Sequence, residues 1–371
     1  MTTFRYPEAT AQGGRLEYHG PIPVLTVGGT PEQVGRQVGE LALRPAARLL
    51  DYPLDYLRSQ VRVPLLPNLL WALLRRKCCR LYANVSSAFR AEVEGVAAAC
   101  PDRGRLVPAN TLFDMSHVGF RALFGCSSLV VPPHRSAAGG ALVGRNLDFF
   151  ALGYLHAFSL VTVYRRAAGR LGFVSLGFPG VVGCFSGMNE AGLCLARHEV
   201  LAPRVRRAFD PSGVPFAAAL RGVMETCQTV AEATAHLTRV RHATVNIVVL
   251  ADPDSAHIVE LTPDGVFNRE IRDEPSGCSN HFLHPALAAP AQANQYHTVD
   301  RLVALRDFVS RAGRTLAMAD VWSSLGLVHQ GEMTIQSMVF DPLRRSIHVG
   351  FGPGPATARP PTCLELPRLL A

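Results

Sequence analysis

Among nine cysteines in 371 residues, one sits where a thiol could do chemistry. Cys126 follows Gly125 at the head of the run Cys126-Ser127-Ser128-Leu129-Val130-Val131. A free thiol has a reference pKa of about 8.5, so reaction near neutral pH needs a base or a cationic neighbour. Alone, the position reads better as a buried cysteine in a core strand, because the free thiol packs as a small hydrophobe. A short way downstream, Gly144-Arg145-Asn146-Leu147-Asp148-Phe149 places two charges in another strand-like, apolar stretch. Side chains alternate along a strand, so Asn146 and Asp148 share one face and Arg145 takes the other. Burying an unpaired ion is costly, so Arg145 and Asp148 need partners or a task.

Other reactive groups offer less. No Cys/His cluster has the spacing of a zinc site, and Cys78 and Cys79 are adjacent and cannot form a CxxC pair. No metal or other cofactor is called for. An odd cysteine count without regular spacing fits a reducing compartment better than a disulfide framework. His156, His198 and His281 read as histidines of a polar rim, and Cys184 and Cys194 as core residues.

The elements that must position these groups fall into three zones. Residues 31–100 read as mainly helical: Thr30 and Pro31 resemble an N-cap followed by a proline at the first helical position. Val34, Val38, Leu41 and Leu43 give a partly amphipathic pattern, and Ser86–Ala99 reads the same way, ending before Pro101. From residue 126 to 265 short Val-, Leu- and Phe-rich segments are separated by glycine. They read as strands at Ala141–Phe149, Phe158–Tyr164, Gly172–Leu176, Val181–Ser186, Leu193–Glu199, Thr244–Ala251 and His257–Leu261. Pro215–Thr226, Val230–Leu237 and His297–Ser310 read as helices, and Ile335–Asp341 and Ser346–Gly350 as further strands. Helices, then clustered short strands, then helices again indicate an α+β protein with antiparallel sheets.

Composition sets the outer limits. With 48% apolar and 18% charged residues the chain has material for a large core, which excludes a disordered or fibrous protein. No apolar run reaches the roughly 18–20 residues a spanning helix needs, and no secretory signal is visible, so a cytoplasmic location is expected. The net charge of +8 comes from scattered arginines without a basic–aromatic stripe, which argues against a nucleic-acid partner.

Taken together, the strings resemble one family. Gly125-Cys126-Ser127-Ser128 followed by Gly144-Arg145-Asn146-Leu147-Asp148-Phe149 is similar to the linear-amide N-terminal-nucleophile (Ntn) hydrolases. These include the penicillin acyltransferase group (C45 peptidases), acid ceramidase, N-acylethanolamine amidase and the choloylglycine hydrolases. Gly187-Met188-Asn189-Glu190-Ala191-Gly192-Leu193 resembles the family's turn between two strands. Cys278-Ser279-Asn280-His281-Phe282 resembles its T-N-H-F element, and Thr298-Val299-Asp300-Arg301 its S/T-x-x-R segment. Thr334-Ile335-Gln336-Ser337 with Phe340-Asp341-Pro342 resembles its C-terminal strand pair. The matches keep family order over about 126–350. Ser127 stands where threonine is commoner, and the Ser279-Asn280 element lacks the usual preceding threonine.

The resemblance implies a four-layer α-β-β-α sandwich of two antiparallel sheets with a helical N-terminal segment. It also implies self-cleavage between Gly125 and Cys126, giving an α-chain of residues 1–125 and a catalytic β-chain of 126–371. Cys126 would then be the nucleophile and its freed α-amino group the base. Arg145 would favour the thiolate, Asp148 would orient the α-ammonium, Asn280 would donate to the oxyanion, and Arg301 would lie near the site. Asn246 is a rival for the oxyanion role. The partner implied is a small-molecule amide or acyl substrate, and the resemblance leaves hydrolysis and acyl transfer both open.

Two other readings compete. A Cys-His thiol hydrolase without self-processing would need a histidine oriented by Asn or Asp. A non-catalytic protein of lipid or membrane surfaces would use the apolar stretch Leu65–Leu74 and the basic residues Arg75, Arg76, Lys77 and Arg80 that follow it.

Overall fold

The computed structural model describes residues 4–100, 103–118, 124–201, 203–288 and 294–371, so Pro101 lies outside the described residues. In chain order the strands are β1 (Ala9–Ala11), β2 (Gly14–His19), β3 (Ile22–Val27), β4 (Phe124–Val131), β5 (Leu142–Phe149), β6 (Leu160–Tyr164), β7 (Phe173–Gly177) and β8 (Ser186–Asn189). They continue as β9 (Cys194–His198), β10 (Asn246–Ala251), β11 (Ala256–Thr262), β12 (Gly265–Glu270), β13 (Ser276–Cys278), β14 (Thr334–Asp341), β15 (Ser346–Phe351) and β16 (Thr362–Glu365). The helices are α1 (Pro31–Val38), α2 (Tyr52–Gln60), α3 (Leu66–Tyr82), α4 (Ser87–Ala99) and α5 (Arg103–Ala109). After them come α6 (Phe216–Thr226), α7 (Val230–Arg239), α8 (Thr298–Arg311), α9 (Met318–Leu327) and α10 (Leu366–Leu370).

Two sheets form. One has ten strands in the order β1-β2-β3-β6-β7-β8-β9-β10-β11-β12, the other six in the order β13-β4-β5-β14-β15-β16. All pairings are antiparallel except that of β3 with β6, where the N-terminal strands join the larger sheet. The segment before Cys126 is therefore not helical throughout: β1, β2 and β3 extend the larger sheet.

The period of two along each strand builds the layers. Val130, Val143, Met338 and Phe340 of the smaller sheet meet Val161, Val174, Ala196 and Ile247 of the larger one in a single apolar cluster between the sheets. Their neighbours Leu129, Val131, Leu142 and Val339 turn outward to Leu305 of α8 and Val321 and Leu325 of α9. The outer face of the larger sheet, with Leu25, Leu195, Val248 and Leu250, is covered by Val34 of α1, Val93 of α4, Leu220 of α6 and Leu237 of α7. The result is the four-layer α-β-β-α sandwich of the Ntn hydrolases.

Local chemistry explains most boundaries. Thr30 caps α1 in a capping box with Gln33, and Pro31 takes the first helical position, as the sequence predicts. The turn between β8 and β9 follows its Gly-Met-Asn-Glu-Ala-Gly-Leu string: Gly192 adopts φ +90°, a conformation open to glycine. The strand expected over Val181–Ser186 does not form before Ser186. Val182 N–H instead donates to Asn110 Oδ1 and Cys184 N–H to the carbonyl of Ala217. Gly183 packs so closely on Ala217 that a Cβ there would lie 2.4 Å from its Cβ. Backbone groups spent on a helix start are not available to a ladder.

Candidate active site

The smaller sheet brings Cys126 and Arg145 to one face. Cys126 pairs with Leu147 and Ser128 with Arg145, so these four side chains point between the sheets. Arg145 Nη2 lies 3.5 Å from Cys126 Sγ and also donates to the carbonyl of Arg197 at 2.6 Å. Its Nη1 reaches the carbonyl of Phe185 at 3.4 Å. The larger sheet therefore fixes the guanidinium, and the guanidinium sits against the thiol. Cys126 is buried, with 1% of its surface exposed, and packs with the cluster that contains the N-terminal helices.

Asp148 occupies the opposite face, paired across the ladder with Gly125. Its Oδ1 accepts from Thr334 Oγ1 at 2.6 Å and its Oδ2 faces Arg301 Nη1 at 3.5 Å. Burial pushes the Asp148 carboxyl above the usual range, and Arg301, Thr334 and Arg145 oppose that rise. A Cβ at position 125 would lie 3.1 Å from Asp148 Oδ2 and 3.3 Å from its Cβ. The glycine before the cysteine is thus what lets the carboxylate close on that peptide.

Arg301 comes from the first turn of α8 and binds the site from the helix layer. Nη1 donates to the carbonyl of Cys126 at 2.5 Å, Nη2 to Asn280 Oδ1 at 2.8 Å, and Nε to the carbonyl of Tyr296 at 3.1 Å. Asn280, just beyond β13, accepts from the backbone N–H of Cys126 at 2.8 Å and donates from Nδ2 to the carbonyl of Glu199 at 2.8 Å. Thr298 Oγ1 accepts from Asn280 N–H at 2.8 Å, which ties the Asn280 turn to the start of α8. All five residues expected from the sequence therefore meet around the Gly125–Cys126 peptide.

Asn246 does not join them. It lies on the outer face of the larger sheet, where Oδ1 accepts from Arg197 Nε at 2.6 Å and Nδ2 donates to the carbonyl of Thr244 at 3.1 Å.

The sequence reading missed a second buried network behind the site. Arg197 Nη2 donates to Glu199 Oε2 at 2.5 Å, and Ser116 Oγ donates to Glu199 Oε1 at 2.6 Å. His117 Nε2 lies 3.3 Å from the same oxygen. Burial works against the Glu199 charge, but Arg197, His117 and Ser116 outweigh it and hold the carboxyl at about 2. Glu199 thereby links the segment before the Gly125–Cys126 junction to the end of β9 in the larger sheet. Only the acidic residue that ends the strand-like run Leu193–Glu199 hinted at this.

The histidines correct one expectation. His198 and His281 are buried, not on a rim, while His156 is partly exposed. His198 lies between the sheets, with Nε2 2.8 Å from Ser128 Oγ and 3.5 Å from Cys278 Sγ. Burial and the nearby Arg145, Arg301 and Arg197 hold it well below the usual imidazole range, so it stays neutral. Cys184 and Cys194 are core residues, as expected. Cys126, Cys184 and Cys194 carry free thiols.

Fold and site together define an Ntn-type enzyme, and the comparisons agree. Residues 136–350 match the family of the acyl-coenzyme A:6-aminopenicillanic acid acyl-transferases. The chain belongs to that family, and it is an enzyme of the linear-amide hydrolase or acyltransferase kind. The matched segment contains Arg145, Asp148, Asn280 and Arg301 and begins after Cys126. No curated protein matches the sequence.

Among solved structures, a variant of the conjugated bile acid hydrolase from Clostridium perfringens is similar in fold, with a TM-score of 0.50 and 12% identity. That likeness covers 66% of this chain and 94% of that one. An N-acylethanolamine-hydrolyzing acid amidase ortholog from Caenorhabditis elegans shares 16% identity over 58% of this chain and 93% of its own, with a TM-score of 0.46. Penicillin V acylase from Agrobacterium tumefaciens shares 16% identity over 61% of this chain and 83% of its own, with a TM-score of 0.45. No described helix is long and apolar enough to cross a membrane.

Proposed function

We propose that the protein is activated by cutting its own Gly125–Cys126 bond and then uses Cys126 to open linear amides through an acyl-enzyme. The observation that carries this reading is the convergence of Arg145, Asp148, Asn280 and Arg301 on one peptide, that of Gly125 and Cys126. Sγ of Cys126 attacks the carbonyl carbon of Gly125, the acyl group passes from nitrogen to sulfur, and water hydrolyses the resulting thioester. The products are the carboxylate of Gly125 and the free α-amine of Cys126. Residues 1–125 and 126–371 then form the two chains of the active enzyme.

The new amine has a reference pKa of about 7.7, suited to take the thiol proton near neutral pH and return it to a leaving amine. Arg145, beside Sγ, favours the thiolate. Asp148, held by Thr334 and Arg301, orients the α-ammonium. Asn280 supplies a side-chain donor to the oxyanion once Nδ2 is released from the Glu199 carbonyl, and Arg301 holds Asn280 in place. The acyl-enzyme on Cys126 is resolved by water or by an acceptor amine.

An apolar pocket lined by Leu50, Leu106, Leu112, Phe113, Phe149 and Phe178 adjoins the Asp148 end of β5. It supports an amide whose acyl part is hydrophobic. The Cys-His reading has less support, because the hydrogen-bond partner of Cys126 Sγ among the described residues is Arg145, and His198 is neutral and turned to Ser128.

The experiment is incubation of the purified chain with a hydrophobic N-acyl amide, with acyl-enzyme trapped by acid quench and located by peptide mass spectrometry. Acyl label on Cys126 supports the reading, and turnover with no label on Cys126 sinks it.

A further inference from the structure

Five of the ten exposed large apolar side chains among the described residues are gathered at one place. Val63, Leu65, Leu69, Leu70 and Leu73 are all exposed, Leu65 at 78%, Leu69 at 57% and Leu73 at 50%. They lie on α3 and the turn leading into it. The other face of α3 carries Pro67, Trp71, Leu74, Cys78, Leu81 and Tyr82 and is buried against the N-terminal core. The exposed leucines are therefore surplus to the packing of the helix.

Charge is distributed with equal asymmetry. From Tyr56 to Ala91 the chain holds no Asp or Glu, yet it holds Arg58, Arg62, Arg75, Arg76, Lys77, Arg80 and Arg90. Arg76, Lys77 and Arg80 are exposed and follow the leucines on the C-terminal half of α3, where cations also suit the helix dipole. A helix rises 1.5 Å per residue, so the apolar half and the basic half of this surface lie roughly 10–15 Å apart along one rod. A bilayer leaflet presents an apolar acyl boundary beneath charged headgroups, so each half of the surface has a chemical counterpart there.

We propose that this end of the protein docks on an anionic lipid bilayer. Leu65, Leu69, Leu70 and Leu73 enter the headgroup–acyl boundary, and Arg76, Lys77 and Arg80 meet the anionic headgroups. Charge selects this occupant over a second copy of the chain, because two copies meeting through the patch would oppose cation to cation with no acid between residues 56 and 91 to compensate. The docking is independent of the catalytic reading, since neither α3 nor its approach contributes a group to the Cys126 site.

The test uses the full chain and sedimentation with vesicles of phosphatidylcholine, with and without phosphatidylserine. Wild type is expected to bind the phosphatidylserine vesicles at least about tenfold more tightly, with an affinity that falls as salt is raised. Leu69→Ser with Leu73→Ser, and separately Arg76→Glu with Arg80→Glu, are expected to lower that affinity at least about tenfold while far-UV circular dichroism and Tm stay unchanged. Equal binding to both vesicle types, or binding that survives both double variants, overturns the proposal. A dimer that Leu69→Ser with Leu73→Ser abolishes, in a protein that ignores vesicles, overturns it in favour of self-association.

Discussion

Arg145 places Nη2 3.5 Å from Sγ of Cys126 while the same nitrogen is anchored on the carbonyl of Arg197 at 2.6 Å. The thiol thus meets a cation that the opposite sheet holds in place. A cation at this distance attracts the negative charge that develops on sulfur as it reacts. Arg145→Leu is expected to slow alkylation of Cys126 by iodoacetamide at neutral pH by about tenfold or more. Alkylation rates followed at Cys126 by peptide mass spectrometry check this, and an unchanged rate in a folded variant contradicts it.

Asp148 touches the site through Thr334 and Arg301 and closes on the glycine before the cysteine. Asp148→Asn keeps the shape and loses the charge that would orient the α-ammonium of a cut chain. The expected outcome is a folded protein whose kcat falls by about 10²-fold or more, within the range that general acid–base groups contribute. Steady-state kinetics on the folded variant decide the matter, and near-wild-type kcat rules the role out.

Asn280 accepts from the N–H of Cys126 in the uncut chain and is expected to serve the oxyanion afterwards. Asn280→Ala should lower kcat by about 10²–10³-fold with little change in KM, the pattern for a donor used mainly in the transition state. Asn246→Ala serves as the comparison, because Asn246 bonds Arg197 and not the Cys126 peptide. An equal loss in the two variants would count against the assignment.

Two buried carboxyls behind the site tilt stability in opposite directions with pH. Glu199 is held at about 2, below its unfolded value of about 4.3, so its contribution is present above about pH 4.3 and is lost as pH falls toward 2. Burial raises Asp114 to about 8, against the pull of the Phe216 N–H and Arg197. The folded state keeps that proton while the unfolded state releases it from about pH 3.9 upward, so this group lowers stability as pH rises to about 8. Glu199→Gln is expected to cost about 3 kcal/mol at pH 6, because Arg197 and His117 lose a buried partner. The cost should shrink as pH approaches 2. Asp114→Asn is expected to flatten the decline between pH 4 and 8. Denaturant midpoints across pH test both, and a Glu199→Gln cost independent of pH would refute the linkage.

Much of the site was legible because its residues break local rules. Arg145 and Asp148 interrupt an apolar strand, and the period of two correctly puts them on opposite faces, one at the thiol and one at the glycine. The α+β class with antiparallel sheets followed from the spacing of Val, Leu and Gly, and the four layers from the family resemblance. What the sequence hid depends on contacts between distant segments. Glu199 gains its meaning from Ser116, His117 and Arg197, and the choice of Asn280 over Asn246 depends on which face of which sheet each occupies. Val181–Ser186 looked like a strand by composition but gives its backbone groups to Asn110 and Ala217, partners no local pattern announces. The N-terminal strands β1, β2 and β3 were also missed, although Arg15-Leu16-Glu17-Tyr18-His19 alternates polar and apolar residues as a strand does.

The measurement closest to the central claim is the intact mass and N-terminal sequence of the purified protein beside its Cys126→Ala variant. Self-cleavage by Cys126 predicts fragments of 125 and 246 residues, the second beginning Cys-Ser-Ser-Leu, and a single uncut, folded and inactive chain for the variant. A wild-type chain that stays whole while it turns over an amide, or a Cys126→Ala chain that is still cut after Gly125, would contradict it.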